Sequence, residues 1–230
     1  MRKLGLIGGM GPESTIPYYH DIVYGVQNKL GENLFPPLTI ESVDVFHVLK
    51  LCGDKNYDEL TEYLMSAINN LISGGADFVA LSANTPHIIY DRLQALSSVP
   101  MISIVEAACM EAQSRKYHKI GLLGTEFTMK ESFFKTPFIK NGIAIVVPST
   151  KEIELVSEKI SSELELGIVK EETLASFKKI IERMKQEDEI EAIILGCTEL
   201  PLLLNDDVSP VPCLDTMKIH IDALVNEILK

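Results

Sequence analysis

Near the C-terminal end, Gly196-Cys197-Thr198-Glu199-Leu200-Pro201 places a thiol, a hydroxyl and a carboxylate at three consecutive positions. The apolar run just before it, 192–195, reads as a buried strand, and the residues after it read as a helix start. Free N–H groups and the helix dipole at such a start favour a thiolate, so Cys197 is expected to have a lowered pKa and to act as a base or a nucleophile. Thr198 and Glu199 can hold a substrate and tune the thiol. Cys52, Cys109 and Cys213 have no comparable neighbours and read as small buried apolar residues. With no Cys-x-x-Cys pair, neither a disulfide framework nor a structural metal is signalled.

Three further segments offer polar groups at strand ends. Ser82-Ala83-Asn84-Thr85-Pro86-His87 follows the apolar run 78–81 and opens a helix. Asn84 and Thr85 there can point into a cleft, although both residue types also serve as ordinary caps and turn formers. Gly8-Gly9-Met10-Gly11-Pro12-Glu13-Ser14 is a glycine-rich strand-to-helix turn whose backbone N–H groups suit an anion. The dinucleotide fingerprint fails, because its third glycine falls on Ser14; a carboxylate fits the same turn, and a tight turn alone would also call for glycine. In the second half, Gly124-Thr125-Glu126-Phe127-Thr128 offers two threonine hydroxyls, with helix capping sufficient to explain Thr128. His20, His47, His118 and His220 lack motif context and read as surface or core residues.

These segments need elements to hold them. Strands are expected at 4–7, 38–43, 78–81, 101–104, 120–123, 143–147 and 192–195. Helices are expected from Pro12, over 56–72, from Pro86, and over 129–140, 151–164, 171–185 and 215–229. Short continuous apolar runs alternating with helical periodicity describe an α/β chain with parallel sheets. The halves echo each other. Lys3-Leu4-Gly5-Leu6-Ile7-Gly8 returns as Lys119-Ile120-Gly121-Leu122-Leu123-Gly124, and the segment around Ala83 returns around Cys197, at nearly one spacing. A duplicated parallel-sheet unit would place both sets of strand-end residues around one cleft.

Composition narrows the partners. With 230 residues, 46% of them hydrophobic and 23% charged, the chain can bury a core and is not disordered. A net charge of −12 argues against nucleic acid and against anionic membrane surfaces. The N-terminal apolar run breaks at Gly8, too short for a signal or a membrane span, so the cytoplasm is the expected location.

Gly8-Gly9-Met10-Gly11-Pro12-Glu13-Ser14-Thr15, Asn84-Thr85-Pro86-His87 and Gly196-Cys197-Thr198-Glu199 together resemble the aspartate/glutamate racemase family, along essentially the whole chain. The resemblance implies two similar flavodoxin-like parallel-sheet domains related by a pseudo-two-fold, with the active site between them, no cofactor, and a homodimer. Residues 1–100 with 207–230 are expected to form the first domain and 101–206 the second. The implied substrate is a small amino acid or dicarboxylate. Its carboxylate and amine would be held by the Met10 turn, Asn84, Thr85 and Thr198, with Glu199, Thr125 and Thr128 as further binding candidates.

Inverting a stereocentre requires removing a proton from one face of the α-carbon and returning one to the other. The resemblance implies a cysteine for each face. Cys197 matches the second; the first falls on Ala83, which has no ionisable group, where some relatives place a threonine. Ser82, Thr85 or water could deliver the proton on that face. Otherwise the protein works with one base, as a decarboxylase or isomerase of the same superfamily, or binds an amino acid or dicarboxylate without turning it over. The resemblance also implies basic residues for a distal carboxylate. Glu165 falls at one such position, and Lys50 is the cation within 42–53 for the other.

Overall fold

The computed structural model describes residues 1–31 and 33–230. The chain divides into two compact units, Met1–Ile104 with His220–Lys230, and Val105–Ile219. The first contains a parallel sheet of β1 (Leu4–Gly8), β2 (Leu38–Ser42), β3 (Phe78–Leu81) and β4 (Met101–Ile102), in the order β2-β1-β3-β4. The second contains β5 (Lys119–Leu123), β6 (Ala144–Val146), β7 (Ala192–Leu195) and β8 (Cys213–Asp215), parallel in the order β6-β5-β7-β8. Every residue of β1, β3 and β7 is buried. That explains why these strands read as continuous apolar runs rather than alternating ones.

The sequence echo extends to the register. Leu4 pairs with Phe78 in the first sheet, and their counterparts Ile120 and Ala192 pair in the second. Val79 faces Met101, and the counterpart Ile193 faces Cys213. Cys213 therefore occupies the β8 position that Met101 occupies in β4, consistent with its reading as a small apolar residue.

The helices are α1 (Pro12–Leu30), α2 (Val45–Gly53), α3 (Tyr57–Ser73), α4 (Tyr90–Leu96), α5 (Ile104–Ser114), α6 (Glu126–Lys130), α7 (Lys135–Lys140), α8 (Thr150–Ser162), α9 (Glu171–Glu187) and α10 (Thr216–Ile228). Helix α1 starts with Pro12 at its first position and stops where Gly31 turns left-handed, with Tyr18, Ile22 and Val26 on its buried face. The helix expected over 129–140 is instead two short ones, α6 and α7. Pro86 lies in a 3₁₀ turn, Thr85–Ile89, that precedes α4. The units divide after residues 104 and 219 rather than near 100 and 207, because β8 pairs with β7 and so carries 207–219 into the second unit. No helix among the described residues is long and apolar enough to cross a membrane.

Two buried histidines brace the first unit. His220, on α10, donates from Nε2 to the Ile102 carbonyl at 3.0 Å, and its Nδ1 accepts from the Tyr18 hydroxyl at 2.7 Å. His87 Nδ1 donates to the Ala83 carbonyl at 2.9 Å, and its Nε2 accepts from the Ile104 N–H at 3.3 Å. These bonds use both nitrogens of each neutral ring. Burial pushes the His87 pKa down to about 4; burial, then the nearby His87, pushes that of His220 down to about 3. An unfolded chain takes up both protons near pH 6.5, whereas the folded one does not until far lower, so stability falls as pH drops through this window. Between pH 7 and pH 5 the two together should remove on the order of 4 kcal/mol. Urea unfolding at the two pH values checks this, and an unchanged midpoint would refute it. The carboxyl of Glu163, held down to about 2 by Thr173, Lys159 and Lys170, contributes only below about pH 4.5 and lies outside that comparison.

Candidate active site

In the second unit the chain leaves β7 through Gly196, where a side chain would meet the Leu122 side chain at 2.8 Å and the Leu123 carbonyl at 2.9 Å. Only glycine lets β7 close this tightly on β5. Cys197, Thr198 and Glu199 follow, all buried. Cys197 Sγ donates to Glu199 Oε2 at 2.9 Å, and Thr198 Oγ1 donates to the same oxygen at 2.9 Å. The carboxylate thus draws the thiol and the hydroxyl onto one atom. The segment after Glu199 is a single 3₁₀ turn, Leu200–Leu202, rather than a helix with a developed dipole.

This corrects the expected ionisation of Cys197. Its pKa lies well above the ordinary thiol value, because burial disfavours the thiolate, the Glu199 charge opposes it and the bond to Glu199 keeps the proton on sulfur; Glu165 adds to the same effect. At rest Cys197 is a thiol aimed at a carboxylate. Such a pair can move one proton between sulfur and oxygen without changing its total charge.

Beside β5, Thr125 caps α6 by accepting the Thr128 N–H at 3.3 Å, and the two threonine hydroxyls lie 3.1 Å apart. Thr125, not Thr128, is the capping residue, while Thr128 is buried against Gly124 and Gly196. Both threonines therefore stand at the same strand ends as Cys197.

In the first unit the glycine turn follows β1. Gly9 has φ 77°, and a side chain there would come within 2.3 Å of the Val43 carbonyl. Thr15 folds back to accept the Gly9 N–H at 3.0 Å and to donate to the Gly11 carbonyl at 2.9 Å. Met10 is buried at the apex. After β3, the Ser82 N–H donates to the Ile7 carbonyl at 3.0 Å, which fixes the end of β3 against β1. Ser82 is fully buried, and its Oγ has no hydrogen-bond partner among the described residues. Ala83 is half-buried, Asn84 is buried and Thr85 half-buried. Asn84 does not cap the 3₁₀ turn with its side chain. His87, in the motif but given no role from sequence, anchors the carbonyl of residue 83. Only the fold reveals that role, since the partner of its other nitrogen lies at Ile104.

Glu165, in the turn Leu164–Leu166 of the second unit, has its carboxyl raised by partial burial and then by the Glu199 charge. Lys50 is exposed on the last turn of α2.

The pattern of the Asp/Glu/hydantoin racemase family matches residues 7–224. The chain belongs to that family. It is 27% identical over 221 residues to the broad-specificity amino-acid racemase RacX of Bacillus subtilis, covering 93% of this chain and 92% of that one. It superposes with a TM-score of 0.94 on a putative Asp/Glu racemase from Yersinia pestis, at 33% identity over the full length of both chains. An aspartate racemase homologue from Pyrococcus horikoshii OT3 gives a TM-score of 0.88 at 32% identity, again over both full lengths. The expected two-unit α/β fold and the expected isomerase class agree with these relatives.

Proposed function

We propose that this family member is a cofactor-independent amino-acid racemase in which Cys197 serves one face of the α-carbon and the segment around residue 83 the other. The observation that carries the reading is the buried bond from Cys197 to Glu199 in a racemase-family chain. As donor, the thiol protonates the carbanion: its S–H bond breaks, a C–H bond forms, and the thiolate is reprotonated by solvent. As base, Cys197 first passes its proton to Glu199, and the thiolate then takes the α-proton. Backbone N–H groups of the Met10 turn, with Asn84, Thr85 and Thr198, would bind the substrate carboxylate and amine, and Thr125 and Thr128 would close the second-unit side. Charge building on the carbanion is stabilised by those donors.

Ala83 carries no ionisable group, so the other face relies on water or on the hydroxyls of Ser82 or Thr85. The unpartnered Oγ of Ser82 favours a hydroxyl or water there. Ala83 equally supports a second reading, a one-base decarboxylase or isomerase, with non-catalytic binding of an amino acid or dicarboxylate as the remaining alternative. The proposal includes a homodimer in the cytoplasm; Ile16, Tyr19, Phe46 and Leu49 expose apolar surface on α1 and α2 that a partner could cover.

The deciding measurement is α-proton exchange by NMR in deuterated water, starting from either enantiomer. The racemase reading expects deuterium in both enantiomers with inversion. Label confined to one product enantiomer would select the one-base reading, and no exchange at all would overturn the racemase reading in favour of the one-base or binding readings.

A further inference from the structure

Residue 83 is held by a ring four positions on, and the ring's tautomer is set from elsewhere in the first unit. His87 Nε2 lies 3.3 Å from the backbone nitrogen of Ile104, and Nδ1 lies 2.9 Å from the Ala83 carbonyl. A backbone N–H can only donate, so Nε2 must accept and the ring proton must sit on Nδ1, aimed at the carbonyl of residue 83. Ile104 opens α5, and an N–H at a helix start has no partner within its own helix. The plane of the ring is fixed as well. Tyr90 stacks on it with centroids 5.4 Å apart and planes 10° from parallel, and the Tyr90 hydroxyl donates to the Met101 carbonyl at 2.9 Å. Burial pushes the His87 pKa down to about 4, so near neutral pH the ring keeps one donor and one acceptor.

Ile104 is also the residue at which the chain leaves the first unit. One buried side chain thus ties the segment around residue 83 to that exit. A carbonyl held by a hydrogen bond fixes the plane of its whole peptide group. We propose that His87 is a positioning residue for inversion: by holding the Ala83 carbonyl, it orients the peptide that serves the face of the α-carbon opposite Cys197. The inference rests on the reading that the segment around residue 83 serves that face. Cys197 shares its proton with Glu199 inside the second unit, so loss of the His87 bond should impair inversion and spare exchange on the Cys197 side.

The experiment incubates each enantiomer of aspartate, glutamate and alanine in deuterated water and scores inversion separately from exchange with retention. His87→Asn keeps an amide N–H near the Nδ1 position, for the Ala83 carbonyl. His87→Gln reaches the Nε2 position and keeps an acceptor for Ile104, and His87→Phe keeps the shape alone. His87→Gln and His87→Phe should lose about tenfold in inversion, with retention exchange on the Cys197 side changed by less than about threefold, whereas His87→Asn should invert within about threefold of the protein. Urea unfolding separates this from a structural role, which predicts that inversion follows stability whichever bond is lost. Inversion falling as far in His87→Asn as in His87→Gln would overturn the proposal. So would a parallel fall of inversion and retention exchange in every variant, or full inversion by His87→Phe. Exchange without inversion, or no exchange, in the protein itself would overturn the racemase reading and this inference with it.

Discussion

Replacing Cys197 by alanine should slow α-proton exchange by about 10²- to 10⁴-fold, the range a positioned acid or base supplies. Serine should fare little better, because a hydroxyl holds its proton far more tightly than a thiol does. Folding should survive, since Cys197 sits in a loop after β7 and the alanine removes one sulfur atom. Glu199→Gln separates the two roles of the pair. Its amide cannot receive the thiol proton, and it removes the charge that, after burial, holds the Cys197 pKa up. The plateau rate should therefore fall while the rise of kcat/KM with pH moves to lower pH. A Glu199→Gln variant with an unshifted pH profile would show that the carboxylate does not hold the thiol proton. Cys197→Ala at full rate would remove sulfur from the chemistry altogether.

The thiol itself was legible in the sequence, but its ionisation was not. Gly-Cys-Thr-Glu after an apolar run shows where sulfur must stand, because a buried parallel strand ends there. The direction of its pKa depends on burial, on the charge and hydrogen bond of Glu199 two residues on, and on Glu165, more than thirty positions earlier. None of these has periodicity. The duplicated strands were legible for the same reason Cys197 was, since fully buried strands leave unbroken apolar runs. Strand β8 was not, because three residues ending in Asp215 give too short a signal, and α5 starts directly from the run that reads as β4. Missing β8 also misplaced the second boundary. Roles that join distant positions, such as His87 holding the carbonyl of Ala83 and the amide of Ile104, exist only once the sheet has brought them together.

Ala83→Cys should accelerate inversion by about 10²-fold. Two enantiomers have equal free energy in water, so the forward and reverse reactions share one kcat/KM, and the poorer face limits both. On the Cys197 face the protein has a thiol with a carboxylate to share its proton. At residue 83 it has a methyl group, so under the proposed racemase reading the proton on that side comes from water or from a hydroxyl that gives it up reluctantly. A thiol at that position would carry the proton on a group bonded to the chain, removing the need to order a separate carrier. The backbone at 83 is already fixed by His87, and Ala83 is half-buried, so one sulfur atom can be added without opening the core. The rate should rise equally from the L- and D-enantiomers. Acceleration of exchange without inversion would mean that the new thiol reaches the same face as Cys197. An unchanged rate would mean that residue 83 does not face the α-carbon, and the proton on that side would then have to be traced to another group.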